Sequence, residues 1–223
     1  MARAPWPVGL LFGISVAVVV TLLGPLLLFN PWFVGALQER HEVAEAFDTT
    51  QDAIDRLTAG LLRDIYADGP FTAAFEGREP VLDDAERSHM SDVARLVRLL
   101  AGIAVAALVL GVLTGVWLRF EARRQGRIMM LAAGTIGAVA LGLALFFAFA
   151  FDVAFTLFHE LLFPPGTWQF APGSNLITLF PEPFWFDAAL VAGATIVVGA
   201  LAVTAIGLAR WRSGVGDAPT TLL

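Results

Sequence analysis

The sequence has 223 residues, of which 57% are hydrophobic and only 15% charged, and its formal net charge is −6. An ordinary soluble domain is roughly 45–50% apolar and about 25% charged, so this composition excludes one, and it also excludes the poorly hydrophobic chains that stay disordered. The acidic balance argues against a nucleic-acid partner, which needs a basic face. Cysteine is absent, which excludes disulfides, thiolate metal sites and cysteine nucleophiles.

Four apolar stretches are long enough to cross a bilayer, whose hydrocarbon core of about 30 Å requires about 20 helical residues. They cover residues 8–29, 96–118, 128–151 and 188–209. Each is predicted to be a helix, because lipid offers no partner to an unpaired backbone group. The first stretch is too long for a signal peptide and is predicted to be a retained anchor. We therefore predict an all-α membrane protein with four transmembrane helices, forming one integral membrane domain over residues 1–223.

Arginine supplies all the positive charge of the chain and lies near one end of each span. The relevant positions are Arg3 before the first span, Arg119, Arg123, Arg124 and Arg127 between the second and third, and Arg210 and Arg212 after the fourth. Because arginine near span ends stays in the cytoplasm, a multi-pass protein of the cell membrane with both termini cytoplasmic is expected. Residues 30–95 and 152–187 then form two outer segments, which contain all three histidines.

The first outer segment is polar and acidic, with helical periodicity between Phe33 and Tyr66. Its apolar residues recur near three- and four-residue spacing: Val43, Ala46, Phe47, Ile54, Leu57, Leu61 and Ile65. One or two amphipathic helices are expected there. The Asp-Gly-Pro sequence at residues 68–70 is predicted to end this pattern.

A new helix start is predicted at Asp83, because Glu86 follows three positions on as the partner of a capping box. No helix breaker lies between Asp83 and Leu118. The second span is therefore predicted to be the inner part of a long helix that begins outside the bilayer. Four polar residues recur every three positions on one face of its outer part: Glu86, His89, Asp92 and Arg95. A carboxylate near this histidine can orient the imidazole and raise its basicity. The alternative is that the glutamate is only a cap and the last two residues form an ordinary ion pair.

The second outer segment is too polar for a fifth span and too aromatic for a solvated loop. Its rings are typical of headgroup depth: Phe151, Phe155, Phe158, Phe163, Trp168, Phe170, Phe180, Phe184, Trp185 and Phe186. Short helices and turns packed on the outer span ends are expected. His159, with Glu160 beside it, is a functional candidate because a titratable group in an apolar setting requires a partner. The alternative is a structural histidine bonded to a loop carbonyl.

Several chemistries receive little support from the spacing of the residues. A zincin motif needs a second histidine four residues after His159, and position 163 is phenylalanine. His41, His89 and His159 leave a metal site open, although no two of them have ligand spacing within one element. No Gly-x-Ser-x-Gly elbow supports a serine hydrolase. The spans lack the charged mid-membrane residues and interrupted helices of a transporter.

Two blocks of residues resemble the signature of a four-span integral membrane family. The blocks are Glu86-x-x-His89-Met90-x-Asp92-Val93, and Phe158-His159-x-x-x-Phe163 followed by Trp168-x-Phe170-x-Pro172, Leu176-Ile177-x-Leu179-Phe180-Pro181 and Phe184-Trp185-x-Asp187. The family includes the bacterial lipoprotein intramolecular transacylase. The resemblance implies an acyltransferase that moves the sn-2 acyl chain of a diacylglyceryl-modified lipoprotein to the amine of its own N-terminal cysteine. A lyso-form lipoprotein results.

Ester aminolysis needs a base for the attacking amine, a donor to the developing oxyanion and a proton for the departing alkoxide. Two imidazoles can divide these roles near neutral pH, so His89 and His159 are the predicted catalytic residues. The predicted supporting residues are Glu86, Asp92, Trp168 and Asp187. No cofactor or metal is expected, and the expected partners are a diacylated lipoprotein substrate and membrane lipid. The alternative is a non-catalytic membrane scaffold or lipid-binding protein whose histidines are structural.

Overall fold

The structure is a computed structural model that describes residues 4–214, and this range forms nine α-helices and no β-strand. The helices are α1 (Trp6–Leu27), α2 (Pro31–Arg40), α3 (Val43–Ala46), α4 (Gln51–Ala67), α5 (Asp84–Trp117), α6 (Ala122–Phe149), α7 (Phe151–Leu162), α8 (Asn175–Leu179) and α9 (Glu182–Ser213). Four of them, α1, α5, α6 and α9, are long and apolar enough to cross a membrane. The predicted all-α, four-span class is therefore confirmed. Arg3, used above for orientation, lies outside the described residues.

The boundaries of the spanning helices differ from the predicted ones mainly at their polar ends. The long helix predicted to start at Asp83 is α5, with 34 residues, or about 50 Å at 1.5 Å per residue. This length exceeds a hydrocarbon core of about 30 Å. Helix α9 begins at Glu182, ahead of its apolar stretch, because proline at 183 fits a first helical turn. Helix α6 ends at Phe149, and the non-helical Ala150 (φ −141°, ψ 50°) separates it from α7.

The first outer segment forms three helices rather than the one or two expected. Left-handed backbone at Glu42 (φ 55°) and Asp48 (φ 48°) interrupts the periodic stretch and produces the short α3. The predicted stop at residues 68–70 is confirmed, since α4 ends in a left-handed Asp68. The spacing of apolar residues predicts which side is buried, but it does not reveal these two local breaks.

The chain divides into two compact units, each assembled from separate stretches of sequence. The described part of the first unit contains residues 4–24, 102–143 and 193–214. In it, α6 and α9 meet backbone to backbone. A Cβ at Gly126 would overlap the carbonyl oxygen of Gly207 and lie 2.6 Å from the amide nitrogen of Trp211. Small residues allow this close approach of membrane helices. The prediction of a single domain over the whole chain stays a prediction.

The second unit contains residues 25–101 and 144–192, and it holds both predicted outer segments. Its apolar core draws on α2, α4, α5, α8 and the start of α9, and includes Ile54, Leu61, Phe71, Leu82, Leu179 and Phe184. A polar pair lies within this core. The amide of Gln38 donates to the carbonyl of Leu179 (3.1 Å) and accepts from the hydroxyl of Thr58 (2.9 Å). Both buried side chains are thus satisfied, as burial of polar groups requires.

Candidate active site

The site begins at the N-terminus of α5, where Glu86 has two functions. The predicted capping box is present: the amide of Asp83 donates to Glu86 Oε2 (2.9 Å), and the amide of Glu86 donates to Asp83 Oδ1 (2.8 Å). Glu86 Oε1 also accepts a hydrogen bond from the amide of Leu176 at 2.8 Å. The side chain is buried, with only 1% of the residue exposed. Glu86 is therefore more than the simple cap that spacing allowed, because it also binds the start of α8.

Two further bonds fasten the same part of the second outer segment. Asn175 Nδ2 donates to the carbonyl of Val81 (2.7 Å), and Leu179 O accepts from Gln38. Helix α8 is thereby held at both ends by polar groups from other elements. The aromatic loop of residues 163–174, which carries Trp168 and Phe170, is consequently anchored at its C-terminal end.

His89 lies one turn after Glu86 on α5, and its residue is only 7% exposed. Its ring makes edge contacts with Phe163 (4.9 Å between centroids) and Phe170 (5.6 Å). Its Nδ1 atom is buried and has no hydrogen-bond partner. A buried polar atom without a partner is costly, and such atoms are found at functional sites.

His159 lies on α7 with its tautomer fixed by the backbone. Its Nδ1 lies 2.8 Å from the carbonyl oxygen of Phe155, and since a carbonyl only accepts, Nδ1 carries the proton. The neutral ring then has its lone pair on Nε2. Burial lowers the pKa of His159 below the ordinary value of 6.5, outweighing the opposite effect of the hydrogen bond to Phe155. The imidazole is therefore neutral at pH 7 and able to accept a proton.

The two imidazoles, 70 positions apart in sequence, are close in space. Their centroids lie 6.2 Å apart and their planes are inclined by 27°. Aromatic rings surround the pair: Phe155 at 4.1 Å, Trp168 at 4.8 Å, Phe158 at 5.3 Å and Phe163 at 5.6 Å from the ring of His159. This arrangement brings two imidazoles together in an apolar surrounding, where electrostatic effects are strong.

The other predicted supporting residues differ in whether they contact the two histidines. Trp168 packs against His159 with 4.8 Å between ring centroids, and its supporting role stays a prediction. Asp92 forms an ion pair with Arg95 (3.1 Å), the alternative considered from spacing, while Nδ1 of His89 donates no hydrogen bond to it. Asp187 Oδ2 binds both His41 Nε2 and Arg40 Nε at 3.0 Å. Its role as a support of the imidazole pair stays a prediction.

Two features of this region could not be predicted from the sequence. The contact between His41 and Asp187 joins residues 146 positions apart, and no spacing rule relates such residues. The second is the connection of Glu86 to Leu176, for which the capping box gave no signal. Within residues 4–214, no group of three or more histidine, aspartate or glutamate residues is arranged to hold a metal ion.

Fold and site together define a multi-pass helical membrane protein with two neighbouring imidazoles enclosed by aromatic rings. The model of the family described as lipoprotein intramolecular transacylase Lit matches residues 9–185. The chain therefore belongs to that family. This confirms the predicted resemblance and the predicted enzyme class, a membrane acyltransferase that acts on lipoproteins.

Solved structures agree with this assignment at the level of the fold. The membrane-integral lipoprotein intramolecular transacylase Lit from Bacillus cereus has a TM-score of 0.78 and 19% identity, covering 95% of this chain and 97% of that one. A variant of the same protein with one histidine replaced by arginine gives 0.76 at 19% identity, covering 95% of this chain and 94% of that one. An uncharacterised protein of Aquifex aeolicus is 40% identical over 40 residues, and this match spans 18% of each chain.

Proposed function

We propose that this protein transfers the sn-2 acyl chain of a diacylglyceryl-modified lipoprotein to the amine of the lipoprotein's own N-terminal cysteine, using His89 and His159. The observation that carries the proposal is the 6.2 Å separation of the two rings. It is supported by the fixed tautomer of His159 and by the unpartnered Nδ1 of His89.

The reaction needs no external proton. The amine nitrogen attacks the ester carbonyl carbon, a new C–N bond forms, and one imidazole accepts the proton that the amine loses. The C–O bond to the glyceryl oxygen then breaks, and the departing alkoxide takes a proton from an imidazole. The products are an amide and a free glyceryl hydroxyl. Because amine and ester belong to one molecule, the entropic cost of bringing them together is reduced.

The proposed orientation suits this substrate. In this proposal both termini are cytoplasmic, because Arg119, Arg123 and Arg127 lie close to the junction of spans two and three. The histidine pair then faces the outer leaflet, where diacylated lipoproteins are anchored. Cysteine labelling tests this directly, since the chain has no cysteine of its own. Thr49→Cys and Pro172→Cys should react with an impermeant maleimide in intact cells, and reaction only after the cytoplasm is opened would overturn the orientation.

Mass spectrometry of a reporter lipoprotein tests the activity. The N-terminal peptide should carry an amide-linked acyl chain and a single ester when this protein is present, and two esters with a free amine when it is absent. A reporter that keeps both esters, with this protein at normal abundance in the membrane, would favour the scaffold or lipid-binding alternative.

A further inference from the structure

The helix that carries His159 has three stripes of different character. Helix α7 presents Phe151, Phe155 and His159 to the aromatic site, as their ring contacts show. A second stripe is polar: Asp152, Thr156 and Glu160 are all exposed. The third stripe is apolar and also exposed, with Val153, Leu157 and Leu161 at 55%, 53% and 83%. Each stripe repeats every four residues, the spacing of one helix face.

Further exposed apolar residues lie beside this stripe. Phe149, just before α7, is 88% exposed, and Phe158 and Leu162 are more than a third exposed. A contiguous apolar surface of this kind requires a partner. Helix α7 has 12 residues, about 18 Å at 1.5 Å per residue, and is too short to cross a bilayer.

We infer that α7 is an interfacial helix whose apolar stripe is immersed in lipid acyl chains, while its polar stripe faces the headgroups and water. The occupant is lipid, because α7 follows the spanning helix α6 after the single residue Ala150 and so starts at a membrane surface. Amphipathic helices of this type enter the bilayer by roughly 5–10 Å. Helix α7 contains no arginine, so attraction to anionic headgroups does not contribute, and apolar burial alone determines its depth.

This inference deepens the proposed function, on which it rests only for the choice of the outer leaflet. With Leu157 and Leu161 among acyl chains, α7 lies at the boundary between chains and headgroups, and His159, on another face of the same helix, lies at that depth. The ester bonds of a diacylglyceryl group lie at that boundary. The substrate then reaches the imidazole by lateral movement in the leaflet, without leaving the bilayer.

Nitroxide labels at neighbouring positions test the depth of the helix. Leu157→Cys and Leu161→Cys are paired with the controls Thr156→Cys and Glu160→Cys, in the full chain reconstituted into phosphatidylcholine and phosphatidylglycerol vesicles. All four positions are exposed, so labelling does not disturb the core. Collision with oxygen, which concentrates in lipid, is compared with collision with a water-soluble nickel chelate.

The oxygen-to-nickel ratio should exceed one at positions 157 and 161 and fall below one at 156 and 160. Ratios below one at all four positions would place the apolar stripe in water and overturn the inference. Shielding of 157 and 161 from both reagents, with dipolar broadening between labels, would assign the stripe to a second copy of the chain and also overturn it. Because the readout is depth, an inactive protein with the expected ratios would contradict the proposed function and leave this inference standing.

Discussion

Glu86 Oε1 and the amide of Leu176, 90 positions apart in the chain, form a 2.8 Å hydrogen bond inside the protein. The other carboxylate oxygen accepts from Asp83. Both acceptors of one buried side chain are thus in use, one on its own helix and one on the aromatic segment. A carboxylate is suited to this position because it offers two acceptors and no donor.

Glu86→Gln should destabilise the protein, although glutamine fills the same position of a capping box. An amide offers one acceptor and would present an NH₂ donor to the second backbone N–H. We expect a loss of about 1–3 kcal/mol, the cost of a buried unsatisfied group, measured as a lower thermal midpoint in detergent. The control Glu79→Gln changes an exposed glutamate and should have no effect. Equal thermal midpoints for both variants would mean that Glu86 acts only as a helix cap.

His89→Ala and His159→Ala should each remove detectable lyso-form product from the reporter lipoprotein. Loss of a proton-transfer group typically lowers a rate by roughly 100- to 10,000-fold. Both variants should remain in the membrane, because the four apolar spans determine insertion. Trp32→Ala is the control, since it removes an exposed ring outside the imidazole pair, and it should retain activity. Full activity of His159→Ala would restore the structural interpretation of that histidine.

The acid limb of the pH dependence of acyl transfer should lie below pH 6.5. Burial lowers the pKa of His159, so its neutral form, which accepts the proton, persists at a pH where an exposed histidine is already charged. Activity should therefore be retained at pH 6.5 and lost as pH falls through the lowered pKa.

Trp168→Ala exposes the ring of His159 to water and should move the acid limb of the kcat/KM profile toward higher pH. The control Trp32→Ala removes an exposed ring, and a shift of the same size there would contradict the assignment.

Gly126→Ala should destabilise the first unit by about 1–3 kcal/mol, the usual cost of overpacking. The added methyl group would overlap the backbone of α9 at Gly207, and backbone does not yield as a flexible side chain does. Gly134→Ala is the control, because a Cβ at Gly134 meets no atom within 4 Å, and alanine favours the helix. Thermal unfolding in detergent should separate the two variants, and equal midpoints would contradict the close approach.

The sequence revealed those features that depend on local patterns. Span positions, the stop after α4 and the capping box at Asp83 all follow from periodicity or short-range spacing. Trp168 was predicted as a site residue from the family resemblance and not from residue spacing. The pairing of His41 with Asp187 and the extra bond of Glu86 could not be predicted, because each joins residues about 90 or more positions apart. Such contacts arise only when the whole unit is folded.

Helix α8 shows how a very short element persists. Five residues form too few internal hydrogen bonds to outweigh the cost of helix nucleation, so in isolation α8 would be open almost all the time. Its polar bonds are made with Gln38 on α2 and with Glu86 on α5, and Asn175 donates to the carbonyl of Val81 in the turn before α5. Its opening therefore requires those regions to open as well. Amide hydrogens of α8 should therefore exchange with solvent at the rate of the second unit's core.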